Sequence, residues 1–126
     1  MFKALMTALY SIPAERMAEA KDWYSRAFNI KPYFEEPFYI GFNIAGYELG
    51  LLPKETGEAM EQTTGSMPVW GVENIAQTHK ALLALGATEL EAPSDVGGDI
   101  LVSRLKDPFG NFLGLIQNPH FPNTNA

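Results

Sequence analysis

The 126-residue chain contains no cysteine, which excludes a disulfide framework, a thiolate metal site and a redox-active thiol, so its fold requires no particular redox compartment. Basic side chains are scarce. Nine Lys and Arg against fifteen Asp and Glu give a formal net charge of -6 and a pI near 4.8. The nine are scattered, so the chain lacks the basic footprint that nucleic-acid phosphates need. An acidic surface serves solubility first and mildly favours a cationic ligand second. No apolar run approaches the roughly 20 residues of a membrane-spanning helix, and Met1-Phe2-Lys3-Ala4-Leu5 lacks the long apolar core of an export signal. A cytoplasmic location is expected. Histidine is limited to His79 and His120, and no serine stands with a histidine in a pattern suited to nucleophilic catalysis.

What the chain does have is a repeat. Gly46-Tyr47-Glu48-Leu49-Gly50-Leu51 and Gly110-Asn111-Phe112-Leu113-Gly114-Leu115 share the pattern Gly-x-x-Leu-Gly-Leu, roughly sixty residues apart. The chain reads as one domain built by duplication: module one over 1–53, a polar linker over 54–66 rich in Thr, Gly and Glu, module two over 67–119, and a tail over 120–126.

Each module reads β-α-β-β-β. In the first, the apolar stretch Phe2 to Ile12 is a strand, and Pro13 suits the first turn of a helix. Met17, Ala20, Tyr24, Ala27 and Phe28 recur at helical spacing on one face, with Glu15, Arg16, Glu19, Asp22 and Arg26 facing water. Asn29 suits the left-handed position that ends such a helix. Lys31 to Pro37 supplies a short strand and turn, then Phe38 to Ile44 and Tyr47 to Leu52 flank a tight Ala45-Gly46 turn. In the second module, Met67 to Val72 is a strand and Asn74 with Gln77 starts a helix whose apolar face carries Ile75, Leu82 and Leu85. Gly86 ends it. Thr88 to Ala92, Ile100 to Lys106 and Asn111 to Gln117 are strands, the first two separated by a loop over Pro93 to Asp99. Trp70, sharing parity with Val72, is expected in the core.

The segment DPFGNFLGLIQNP, from Asp107 to Pro119, resembles the closing hairpin of the vicinal oxygen chelate superfamily. That superfamily includes glyoxalase I, extradiol dioxygenases, methylmalonyl-CoA epimerase and the bleomycin and fosfomycin resistance proteins. AEAKDWYSRAFNI, from Ala18, resembles its first helix, and VENIAQTHKALLALGA, from Val72, its second. The resemblance covers Phe2 to Pro119. It implies an α+β fold in which two tandem βαβββ modules form a curved sheet round a cleft, with helices on the outer face. It also implies a homodimer, with strand one or whole modules exchanged.

Strand alternation then sorts the side chains. Leu49, Leu51, Leu113 and Leu115 pack under the helices, and Gly50, Leu52, Gly114 and Ile116 look into the cleft. With Ala45-Gly46 as a two-residue turn, Asn43 pairs with Glu48 and Gly41 with Gly50, which adds Tyr39, Asn43 and Glu48 to the cleft face. Phe112 shares the parity of Gly114. The superfamily's metal-ligand positions match Thr7, Gly50, Met67 and Gly114, with Leu5 and Leu9 beside Thr7 and Val69 beside Met67. Metal-dependent members usually carry a ligating glutamate on the closing strand, where this chain has Gly114.

Oxygen and nitrogen donors must converge on a divalent ion within about 2.0–2.6 Å, which two glycines, a threonine and a methionine do not achieve. No metal or other cofactor is expected. His79 reads as a flank or surface histidine outside the cleft, and His120 as a tail residue with no companion at ligand spacing. The expected ligand residues are Thr7, Tyr39, Asn43, Glu48, Gly50, Met67, Phe112 and Gly114. They line a roomy, apolar cleft suited to a flat molecule. The pattern resembles the bleomycin-resistance branch, whose members imply metal-independent sequestration of a cationic, partly aromatic compound. The run Tyr33-Phe34-Glu35-Glu36-Pro37-Phe38-Tyr39 can supply stacking surface and negative charge, although each aromatic taken singly reads as core. The alternative is a lyase, isomerase or dioxygenase with an atypical metal site. In its metal-free form, Glu48 is the catalytic candidate, a base of raised pKa on an apolar wall.

Overall fold

In this computed structural model the described residues are 1, 3–54 and 67–120, so the linker, apart from Lys54, and the tail, apart from His120, lie outside them. The chain forms two compact units. The first carries β1 (Thr7–Pro13), a single 3-10 turn (Ala14–Arg16), α1 (Met17–Phe28), β2 (Phe34–Glu36), β3 (Tyr39–Ile44) and β4 (Tyr47–Lys54). The second carries β5 (Val69–Gly71), α2 (Ile75–Ala84), β6 (Thr88–Asp95), β7 (Leu101–Lys106) and β8 (Phe112–Gln117). Sheet one runs β1-β4-β3-β2 and sheet two β5-β8-β7-β6, with the first strand of each parallel to the last and the other pairs antiparallel. The fold is therefore α+β, two tandem βαβββ modules.

In the first unit Leu49 and Leu51 of β4 are fully buried, together with Tyr10 and Ile12 of β1 and Phe42 of β3. Tyr24 of α1 lies 5.5 Å from the ring of Tyr10 and 4.9 Å, edge-on, from Trp23. Trp23 was missing from the expected helix face, yet it is three residues after the buried Ala20 and falls on the same stripe. Asn29 ends α1 with φ 53° and ψ 49°, the left-handed cap expected of it. The Ala45-Gly46 turn has φ 52° and 95°, and Asn43 Oδ1 locks it by accepting from Gly46 N at 2.8 Å. Positive φ at both turn residues matches the strand twist, and the expected register follows: Asn43 opposite Glu48, Gly41 opposite Gly50.

In the second unit Asn74 Oδ1 accepts from Gln77 N at 3.1 Å, and Gly86, at φ 103°, follows the end of α2. Asp107 explains the DPFGN turn. Its buried carboxylate accepts from Phe109 N at 2.8 Å and Asn111 N at 2.7 Å, while Gly110 takes φ 97° and Phe109 enters the core.

Several expectations need correction. Among the described residues strand one begins at Thr7, because its parallel partner β4 pairs with it only from Glu48 onward, and Leu5 and Met6 are exposed; Phe2, where the strand was expected to start, lies outside the described residues. Pro13 closes β1, and a 3-10 turn precedes α1. The fifth strand shrinks from Met67–Val72 to three edge residues, leaving Trp70 half-buried. β6 runs through Pro93 to Asp95. A proline is tolerated there because β6 is an edge strand and its register with β7 shifts between Glu91 and Ser94.

His79 is the largest correction. It is 4% exposed, one turn after Ile75 on the buried stripe of α2, and its Nδ1 shares a 2.9 Å hydrogen bond with Ser103 Oγ of β7. Among the described residues Nε2 has no hydrogen-bond partner, and it lies 3.8 Å from Glu89 Oε1. Removing one member of this buried pair leaves the other unsatisfied, so Ser103→Ala should cost about 1–3 kcal/mol in denaturant unfolding. The double variant His79→Leu/Ser103→Ala should lose less than the sum of the single variants, and strict additivity would show that the hydrogen bond contributes nothing.

Candidate functional site

On the face of sheet one opposite the buried Leu49 and Leu51, β4 presents Glu48, Gly50 and Leu52. β3 adds Tyr39, Gly41 and Asn43, and β1 adds Thr7, which pairs with Glu48, and Leu9, which pairs with Gly50. Two phenols converge on one carboxylate oxygen of Glu48. Tyr39 Oη donates to Oε2 at 2.6 Å and Tyr33 Oη donates to the same atom at 2.9 Å.

The glycine pair makes this possible. A Cβ on Gly41 would lie 2.9 Å from Glu48 Oε2 and 3.1 Å from both tyrosine rings, and one on Gly50 would overlap the Tyr39 ring and hydroxyl. Gly41 and Gly50 are thus the floor on which the phenols and carboxylate rest, and Tyr39 occupies the room that Gly50 leaves. A depression of about 280 Å³ adjoins the cluster, lined by Met6, Tyr33, Asn43, Gly46, Tyr47 and Glu48.

Burial pushes the Tyr39 phenol well above the ordinary tyrosine value of 10.0, helped by the hydrogen bond to Glu48 and the carboxylate's negative charge. At Tyr33 the hydrogen bond to Glu48 is the main cause of an upward shift, with burial next. Both side chains stay protonated, as donors, throughout the physiological range.

The expected site residues divide between the units. Thr7, Tyr39, Asn43, Glu48 and Gly50 share one face of sheet one, although the side-chain oxygen of Asn43 is engaged by its own turn. In the second unit, a Cβ on Gly114 would lie 3.0 Å from Met67 Cε and Val69 Cγ2 and 3.1 Å from Pro68 O, so Met67 and Val69 cover that glycine. Phe112 is half-buried beneath Lys106, whose Nζ lies 5.9 Å from the ring centre. Tyr33 is absent from the expected set. Its signal was its place in the aromatic run, but Tyr33, Phe34 and Phe38 of that run are exposed, not core, at 62%, 39% and 63%.

The four positions matched to metal donors do not fit a divalent ion. Gly50 and Gly114 offer no side chain, and the space a donor would need there is filled by Tyr39 in one unit and by Met67 and Val69 in the other. Among the described residues no three His, Asp or Glu side chains come together as a metal site. His120 is exposed, with Nε2 2.7 Å from Gly98 O.

Two tandem βαβββ modules define the class of fold, with a phenol-held carboxylate on one sheet. The model of the Glyoxalase/Bleomycin resistance protein/Dioxygenase superfamily matches residues 7–115, and the chain belongs to that superfamily. Among solved structures, a glyoxalase-related enzyme from Fulvimarina pelagi is similar with a TM-score of 0.77 and 20% identity, over 99% of this chain and 96% of that one. A family enzyme from Burkholderia phytofirmans PsJN is similar with a TM-score of 0.74 and 14% identity, over 91% and 98%. A glyoxalase/bleomycin resistance protein from Albidiferax ferrireducens T118 gives 0.70 and 18%, over 90% and 97%. Likeness at such identity concerns the fold alone. Comparison with curated proteins gives no match. No helix among the described residues is long and apolar enough to cross a membrane.

Tyr39→Phe removes a charge-assisted hydrogen bond at a half-exposed site and should lower stability by about 1–2 kcal/mol at neutral pH. A phenol whose proton is held more tightly in the folded state contributes in full below its unfolded value of 10.0, and that contribution is lost as pH rises through the folded value. The stability gap between wild type and variant, read from denaturant midpoints, should therefore close in alkaline solution. A gap that widens above pH 10.0 would contradict the assignment.

Proposed function

We propose that this protein binds a small, flat, cationic compound without a bound metal, in the manner of a sequestering member of its superfamily. The observation that carries the reading is the Glu48 carboxylate, held by Tyr33 and Tyr39 over the Gly41 and Gly50 floor beside an open depression. A carboxylate supplies the counter-charge, tyrosine rings supply faces for stacking and cation–π contact, and the net charge of -6 draws cations toward the surface. The bleomycin-resistance proteins of the superfamily are the nearest functional analogy. Thr7 and Asn43 complete the ligand wall on the first module.

The same carboxylate supports a second reading, a lyase or isomerase that abstracts a proton with Glu48 in the absence of metal. It is the weaker of the two. The two phenols adjacent to Glu48 hold their protons tightly and spend their hydrogen bonds on the base itself, so neither is set to serve a substrate as an acid.

Calorimetric titration with planar aromatic cations and neutral compounds of the same shape separates the readings. Cations should bind, a chelator should change nothing, and Glu48→Gln should weaken the cations about tenfold more than the neutral compounds. Turnover of a diketone or diol that depends on added divalent metal would sink the proposal.

A homodimer is part of the same proposal. β1 is an edge strand, and Leu5 and Leu9 on or beside it are 83% and 56% exposed, an apolar strip that a second copy can cover. Light scattering at micromolar concentration should give twice the chain mass of 13.9 kDa, and a monomer there would refute it.

A further inference from the structure

Resting on the proposal that Glu48 is the counter-charge of a bound cation, we infer that the site selects for a point-like ammonium group and against planar forked cations such as amidinium or guanidinium. Each carboxylate oxygen offers about two lone-pair positions. Both phenols donate to Oε2, at 2.6 and 2.9 Å, so that atom has its complement of donors. Among the described residues no side chain or backbone group donates to Oε1, and that oxygen is not sealed from solvent. Glu48 therefore presents a ligand with one usable oxygen.

A forked cation obtains its advantage over ammonium by placing two parallel N–H bonds on the two oxygens of a carboxylate at once. With Oε2 occupied, the fork reaches Oε1 with one arm and leaves its second arm facing a filled oxygen. An ammonium loses nothing by the arrangement: it is a compact charge with three rotatable donors, of which one meets Oε1 and the others meet water or ring faces. The glycine floor keeps the phenols in place. Any Cβ on Gly41 would press on Oε2 and on both rings, and one on Gly50 would expel Tyr39. Tyr33 and Tyr39 are thus specificity residues that act by occupying half of the carboxylate. The usual order, in which the fork is the better carboxylate partner, is inverted.

Three probes with one ring system test this: naphthylmethylammonium, naphthamidinium and the neutral naphthylmethanol, titrated calorimetrically against the full-length wild-type chain and the Tyr33→Phe and Tyr39→Phe variants. The ammonium should bind about tenfold tighter than the amidinium to wild type, and both more tightly than the alcohol. Tyr33→Phe, which frees one position on Oε2 and keeps a ring that is 62% exposed in the wild type, should erase or reverse the order of the two cations. A merely structural role for Tyr33 would weaken both cations equally and leave their ratio unchanged, overturning the inference. Should amidinium bind wild type as tightly as ammonium, with both ahead of the alcohol, the inference falls while the cation-binding reading stands. Equal affinity for all three probes, or none, removes the reading and the inference together. Tyr39→Phe repeats the test at the second donor should one of the variants fail to fold.

Discussion

Burial of Leu49, Leu51, Leu113 and Leu115, none more than 3% exposed, is the constraint on which the rest depends. Each fully buried leucine stabilises the fold by ~1.5–3 kcal/mol, and in a strand the two leucines can be buried together only if the residues between and beside them face the other way. A slip of one residue in β4 would send Leu49 and Leu51 to the opposite face and bring Glu48 and Gly50 beneath α1. The Ala45-Gly46 turn guards against that slip at the β3–β4 hairpin, and the Asp107 turn guards β8 in the same way at the β7–β8 hairpin. The orientation of Glu48 follows from hydrophobic burial one residue away.

The repeat diverges on that opposite face. Gly50 and Gly114 hold matching places in Gly-x-x-Leu-Gly-Leu, but Gly50 lies across from Gly41 on β3, whereas Gly114 lies across from Arg104 on β7. The double absence of side chains in sheet one admits two tyrosine rings, and the preceding position, Glu48, gives them an acceptor. In the second unit Phe112 stands where Glu48 stands in the first, and Met67 and Val69 cover the glycine. The conserved half of the pattern builds the sheets; the altered half gives only the first a polar cluster.

The two glycines also show what occupies the space that a missing side chain leaves. The space over each of Gly50 and Gly114 is filled by a neighbour within the same unit, as close packing demands. At Gly50 the filler is a phenol that carries its own donor. Gly50 thereby seats the phenol that holds the Glu48 carboxylate.

Element order, both helix ends, the hairpin register and the helix-facing leucines were legible in the sequence, because each depends on short-range features: alternation at Leu49 and Leu51, left-handed tolerance at Asn29 and Gly86, turn chemistry at Ala45-Gly46. That Gly50 and Gly114 offer no side-chain donor could also be read directly, since glycine has no side chain wherever it is placed. Other features could not. The reach of Tyr33 and Tyr39 over Gly41 and Gly50, the burial of His79 against Ser103, the passage of β6 through Pro93 and the late start of β1 each depend on what a neighbouring strand or helix offers at that height. Sequence by itself determined which residues share a face, because backbone periodicity is local. Tertiary structure alone decided what fills the space that glycine leaves, because that volume is bounded by side chains from other strands.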